Sequence, residues 1–214
     1  MPNNIAIVGR MYAGKTTLAE HLVASHGYSR VAMAGPLKLL ATLAYGEVIE
    51  KNKEYPTIDK DTGDLVIKTG RTILQQIGQS LKVVDRDIWL KIFINDTDQM
   101  TNAPYVVDDV RFGFEADYLR RAGWTIVKVE TPEEERIRRA ERLTGVVPTE
   151  AELRHESERE VDGIVADITF SGNRPIEDVR YFAELLAGAN EGITDGDFVV
   201  VDGNNSWSSN PTLG

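Results

Sequence analysis

The sequence predicts an α/β protein in three layers: a five-stranded, mostly parallel sheet with helices on both faces. Short apolar runs of strand character alternate along the chain with longer runs of helical period, the pattern of a parallel sheet covered on both sides. The first apolar run, Ile5-Ala6-Ile7-Val8, stops at a glycine-containing loop that opens at once into a helical run. A chain of 214 residues, 42% of them hydrophobic, can bury a sizeable core and fits one domain with insertions.

In chain order, strand patterns fall at 4–8, 29–33, 105–109, 124–130 and 166–170. Helical patterns fall between and after them at 15–25, 36–49, 70–84, 87–96, 114–122, 132–143 and 175–187. The stretch Lys51 to Lys68 is polar and carries Asp61-Thr62-Gly63-Asp64 between two short β-like runs, so it reads as an inserted hairpin or a flexible loop, with the insertion spanning 51–69. From Gly188 the composition turns to Gly, Asn, Asp and Ser. The domain is expected over 1–188, with a partly flexible tail over 189–214 in which Phe198–Val201 could form a strand.

The loop itself, Gly9-Arg10-Met11-Tyr12-Ala13-Gly14-Lys15-Thr16, is a complete GxxxxGK[ST] phosphate-binding sequence. Its glycines let the backbone curl until successive N–H groups point inward, and the following helix N-terminus adds partial positive charge where phosphate oxygens would sit. Lys15 is placed to reach the β- and γ-phosphates of a nucleoside triphosphate, the Thr16 hydroxyl to ligate Mg²⁺, and Thr17 completes the cradle. ATP and Mg²⁺ are the expected ligands.

Composition narrows the alternatives. A formal net charge of −10 argues against a protein that coats nucleic acid. No cysteine is present, which removes disulfides, a thiolate nucleophile and thiolate metal ligands. No signal peptide and no long apolar run is visible, so a cytoplasmic protein without membrane attachment is expected. The Asn-Lys-x-Asp motif of a GTPase and the Ser-Gly-Gly-Gln of a transport ATPase are missing, leaving small-molecule kinases in front.

The run Tyr105-Val106-Val107-Asp108-Asp109-Val110-Arg111 ends an apolar strand in acid, which places a carboxylate at the ligand-binding edge of the sheet. Asp109 is expected to serve the metal, with Asp108 as its competitor, and the planar fork of Arg111 could grip an acceptor phosphate. An ordinary strand-end ion pair is the plainer alternative.

Five ordered blocks over residues 5–187 resemble the phage-type deoxynucleoside monophosphate kinases of the P-loop NMP kinase superfamily. They are the phosphate loop, Ala32-Met33-Ala34-Gly35-Pro36-Leu37-Lys38, Gly70-Arg71-Thr72-Ile73-Leu74-Gln75-Gln76-Ile77-Gly78, Asp109-Val110-Arg111-Phe112-Gly113-Phe114-Glu115, and His155-Glu156-Ser157-Glu158 with Ala166-Asp167 and Asn173. The chain departs from the family at Gly113-Phe114, where Pro-Asn is usual. The resemblance implies a P-loop kinase fold that transfers the γ-phosphate of ATP to a deoxynucleoside 5′-monophosphate. It makes Arg71, Arg86, Arg111 and Lys38 acceptor-side residues. It also makes 136–160 a lid, with Arg138 and Arg142, four apart on one helical face, closing on the transferring phosphate. Plainer roles exist for each: Arg86 can pair with Asp85 or Asp87, and the arginine run with Glu133–Glu135. Phosphorylation of a modified nucleoside, or of a hydroxymethylated base in DNA, is the nearest alternative, and a slowly hydrolysing switch the more distant one. A homodimer is compatible with the sequence, and a phage origin would put the protein in the host cytoplasm.

Overall fold

The computed structural model describes residues 3–99 and 103–188. The expected strand near Phe198–Val201 and the tail lie outside the described residues. The chain forms two compact units, one built from the described residues up to 30 and from 103 onward, the other from 31–99.

The first unit is organised by a five-stranded sheet in the order β2-β5-β1-β6-β7. At its centre, β1 (Ile5–Val8) pairs in parallel with β5 (Tyr105–Val107) on one side and β6 (Thr125–Glu130) on the other. β7 (Ile168–Ser171) extends the sheet in parallel beyond β6. β2 (Ser29–Val31) forms the opposite edge, where the Ser29 N–H donates to the Pro104 carbonyl at 2.9 Å. Successive strand side chains point to opposite faces. Ile5 and Ile7 of β1, with Val127 and Val129 of β6, therefore join one core, together with Leu18, Ala19 and Leu22 of α1 (Lys15–His26) and Val179, Phe182, Ala183 and Leu186 of α9 (Ile176–Gly188). The equally buried Ala6, Val8 and Ile126 face the other way. Across that face α5 (Gly113–Arg121) lies along β6 and buries Ala116 and Leu119. A helix on each face is the reason the central strands are apolar throughout rather than alternating.

The second unit holds α2 (Gly35–Tyr45), an antiparallel hairpin of β3 (Glu54–Ile58) and β4 (Leu65–Thr69), α3 (Gly70–Ser80) and α4 (Ile88–Gln99). Ala41, Ile49, Tyr55, Ile73 and Leu74 form its core, with Leu37 and Ile77 packed against them. The polar 51–68 stretch is thus a hairpin, closed by the Asp59 carboxylate, which accepts the Asp61 and Thr62 N–H groups.

Several predicted elements end early. The 36–49 helix stops at Tyr45, where Gly46 turns left-handed (φ 73°) and its N–H caps the Thr42 carbonyl. The 70–84 helix stops at Ser80 and passes into a 3₁₀ turn, Leu81–Val83. After α6 (Glu133–Thr144) come two short helices not expected from the sequence, α7 (Glu150–Leu153) and α8 (Glu156–Glu160). At four and five residues they are too short to leave a period in the sequence. Among the described residues no helix is long and apolar enough to cross a membrane.

Candidate active site

The phosphate loop joins β1 to α1 at the edge where β1, β5 and β6 end. Gly9 sits at φ 153°, and a Cβ there would lie 2.5 Å from the Val129 carbonyl oxygen, so no larger residue fits against β6. Tyr12 takes φ 59°, a left-handed conformation that costs a non-glycine residue energy and turns the loop inward. Gly14 precedes α1 with no side-chain cap, which leaves the first-turn N–H groups of the helix for an anion.

Lys15 is partly buried and folds back on the loop, its Nζ donating to the Gly9 carbonyl at 2.6 Å and the Arg10 carbonyl at 2.9 Å. Burial pulls its pKa down to about 8. Glu158 and Asp108 act against that shift and Arg111 reinforces it. A lysine in this position is a strong electrostatic partner for a polyphosphate, whose charge would restore its proton.

The Thr16 hydroxyl donates to Asp108 Oδ2 at 2.8 Å, and the Arg30 fork reaches both Asp108 oxygens at 2.9 and 2.7 Å. Asp108 is buried and Asp109 only partly so, because the chain leaves β5 at Val107 and turns Asp108 back towards α1. Of the two candidates for the metal, Asp109 and its competitor Asp108, the carboxylate that meets the Thr16 hydroxyl is Asp108. Asp109 lines the adjoining cavity. Thr16 and Asp108 together offer hard oxygen donors of the kind Mg²⁺ takes, so this pair fits that metal.

Among the cavities beside the loop within this unit, two are lined by Lys15 and Thr16. One, of about 680 Å³, is lined by Met11 to Thr17, by Arg139, Arg142 and Arg174, and on its apolar side by Val129, Phe170 and Val179. Cations at one end and an apolar wall at the other suit a phosphorylated aromatic ligand. The other, of about 240 Å³, brings Lys15 and Thr16 together with Arg30, Asp108, Asp109, Arg111 and Glu158.

The four arginines of α6 have four different surroundings. Arg136 is 3% exposed and donates to the Thr131 and Met11 carbonyls beneath the phosphate loop. Arg139 braces the loop, donating to the Ala13 carbonyl at 3.3 Å and to the Gly172 carbonyl at 2.8 Å. Arg142 lines the larger cavity. Arg138, expected to act with Arg142, instead stands 70% exposed and pairs with Glu135 at 3.2 Å. Position 139 follows Glu135 by four and precedes Arg142 by three, so it is Arg139 that shares the loop-facing side.

Arg10 turns its side chain away from the loop's interior. Its guanidinium forks onto Asp162 and approaches Glu133 at 3.7 Å, so only its backbone carbonyl takes part in the loop's interior. Gly172 presses so close that a Cβ would lie 2.1 Å from the Ala13 carbonyl oxygen, and its N–H donates to Glu130. The Glu115 carboxylate accepts the Arg111 and Phe112 N–H groups, which fixes the backbone that carries Arg111 despite the Gly113-Phe114 departure. Arg30, Glu158 and Gly172 were missed because their partners lie 78, 147 and more than 150 residues away in sequence. Glu158 left a trace inside the His155–Glu158 block, and Gly172 lies in the Ser171 to Pro175 loop that follows the last sheet strand.

The other acceptor-side candidates lie in the second unit. Arg71 is exposed in the first turn of α3, its N–H donating to the Lys51 carbonyl at 2.9 Å. Lys38 is exposed on α2. Arg86 is 78% exposed with Nε 3.1 Å from Asp87.

The deoxynucleotide monophosphate kinase family model matches residues 67–153, less than half of the chain. A protein of Acanthamoeba polyphaga mimivirus named "Putative deoxynucleotide monophosphate kinase" is 26% identical over 200 residues, 86% of this chain and 94% of that one. This chain resembles the deoxynucleotide monophosphate kinases. Among solved structures, a sugar kinase from Janibacter sp. matches at TM-score 0.54 and 14% identity over 88% of this chain and 95% of its own. A gluconokinase from Sinorhizobium meliloti matches at 0.52 and 14%, over 88% and 93%. These likenesses show the fold, shared with the P-loop kinases, and the partial family match and the mimivirus relative support a nucleotide kinase, a phosphotransferase. The matched span contains Arg71, Arg86, both aspartates, Arg111 and the arginines of α6.

Proposed function

We propose that the protein transfers the γ-phosphate of ATP to a deoxynucleoside 5′-monophosphate, releasing ADP and a deoxynucleoside diphosphate. One observation carries the reading: Lys15 and Thr16 of the phosphate loop line the same small cavity as Arg111, a cation from outside the loop and its helix. A donor site and an acceptor-side cation sharing one cavity suit transfer between two phosphates. The mimivirus relative and the matched span support the monophosphate as acceptor.

In this scheme the loop amides and Lys15 hold the donor phosphates. An oxygen of the acceptor phosphate forms a bond to the γ-phosphorus while the bond to the β–γ bridging oxygen breaks. The acceptor oxygen is already ionised, so no general base is needed, and the work falls to positioning and charge neutralisation. Thr16 and Asp108 would hold Mg²⁺, with Arg30 keeping Asp108 in place. Bound there, the ion would neutralise phosphate charge during transfer. Arg111 would bind the acceptor phosphate, and Arg71, Arg86 and Lys38 of the second unit are the further acceptor-side residues of this reading. Arg142 and Arg139 would serve the donor, and the 136–160 segment would exclude water on closure. A cytoplasmic protein is the reading that such substrates support.

A coupled assay of ADP formation across common and modified deoxynucleoside monophosphates tests the proposal. Turnover is expected with at least one monophosphate and not with the matching nucleoside. Arg71→Ala or Arg111→Ala should lower acceptor kcat/KM by about ten- to a hundredfold with ATP binding unchanged, since each charge-assisted contact contributes roughly 1.5–3 kcal/mol. ATP hydrolysis that no monophosphate stimulates would overturn it.

A further inference from the structure

Glu158 is the most completely buried carboxylate at the phosphate loop, its side chain 5% exposed, and it belongs to neither the loop nor its helix. It is carried by α8, 147 residues along the chain, and its Oε2 accepts the Met11 N–H at 2.7 Å. Its other oxygen lies 3.8 Å from Nη1 of Arg111. Both side chains line the cavity that Lys15 and Thr16 share.

A staple between α8 and the loop would need only a neutral acceptor for the Met11 N–H. Burying a full negative charge there is costly unless neighbouring cations compensate it. Those cations include Lys15 on the donor side and Arg111 on the acceptor side of the proposed reaction, together with Arg10 and Arg136. At 3.8 Å the Arg111 contact is an ion pair without a tight hydrogen bond, so the carboxylate can orient the guanidinium without outcompeting an incoming phosphate for its fork.

We propose that Glu158 is a positioning residue for phosphoryl transfer, holding the third residue of the phosphate loop with one oxygen and directing Arg111 with the other. The inference rests on the phosphotransfer reading above. Through Glu158, α8 couples the geometry of the donor loop to that of the acceptor cation.

The test uses Glu158→Gln, whose amide oxygen can still accept the Met11 N–H while the charge is lost. The variant should keep a wild-type Tm and an ATP Kd within about threefold. Its kcat should fall by about tenfold and its acceptor KM should rise. In an Arg111→Ala background the same substitution should add almost nothing, because its effect runs through Arg111. Glu158→Ala, which removes both contacts, should lose more turnover than Glu158→Gln. Wild-type kinetics in Glu158→Gln, or losses that multiply fully in the double variant, would overturn the role. A tenfold tighter ATP Kd with unchanged kcat would also overturn it, revealing an anion that merely occupies the loop until nucleotide enters. Those results leave the function standing, whereas a wild-type protein without turnover on any monophosphate sinks both.

Discussion

The two units treat their cations differently. In the first, Lys15, Arg136 and Arg139 are enclosed and already committed to carbonyls around the loop, while Arg30, 42% exposed, is committed to Asp108. In the second, Lys38, Arg71 and Arg86 stand at the surface. Exposed charges are screened and contribute little until a ligand desolvates them, whereas enclosed ones act at full strength and are fixed in advance. The difference matches a phosphate loop whose surrounding cations are fixed before any nucleotide arrives.

The sharpest way to break that contrast is at Lys15. Lys15→Ala should reduce kcat by about 10²–10³-fold, the cost of removing one preorganised charge-stabilising donor, with a Tm close to wild type. Near-normal turnover in the folded variant would mean the donor side is not where transfer is governed.

The aspartate pair offers the next largest effect. Asp108→Ala should cost roughly a hundredfold in kcat and blunt the Mg²⁺ dependence of the rate, while Asp109→Ala should cost less than about tenfold. Magnesium titrations of both variants decide between them, and a larger loss at Asp109 would reverse the assignment.

A pH series sharpens the electrostatic side. Lys15 has a pKa lowered to about 8 by burial, so the free site loses its charge as pH rises through 8. A bound triphosphate favours the protonated form, so binding takes up a proton above that pH. ATP affinity should be nearly flat below pH 8 and weaken above it, by at most about tenfold per pH unit. Titrations from pH 6.5 to 9.5 should show this in the wild type and not in Lys15→Met.

The smallest effects separate neighbours on α6. Arg139→Ala removes the brace on Ala13 and Gly172 and should lower kcat/KM for ATP by about tenfold. Arg138→Ala should change the rate by less than about twofold, because its side chain is 70% exposed and its ion pair is screened by solvent. Equal losses at both would mean that the helix closes with a different face towards the nucleotide.

Local signals reached far in this chain. The phosphate loop, its flanking strand and helix, the parallel sheet and the 51–69 hairpin each depend on contiguous residues whose apolar period, glycine placement or turn chemistry can be read directly. What contiguous sequence could not decide was which of two adjacent aspartates turns towards Thr16, since strand parity is lost where β5 ends at Val107. Nor could it decide which of four arginines faces the loop, because a helical period fixes their relative angles but not the rotation of the helix against the sheet. Arg30 on Asp108, Glu158 on Met11 and Gly172 against Ala13 are contacts between distant segments. The sequence by itself determined a phosphate-binding α/β chain and the residues able to carry its charges. Only tertiary structure decided which of those charges meet, because burial and partnership are properties of packed surfaces, and no local pattern encodes them.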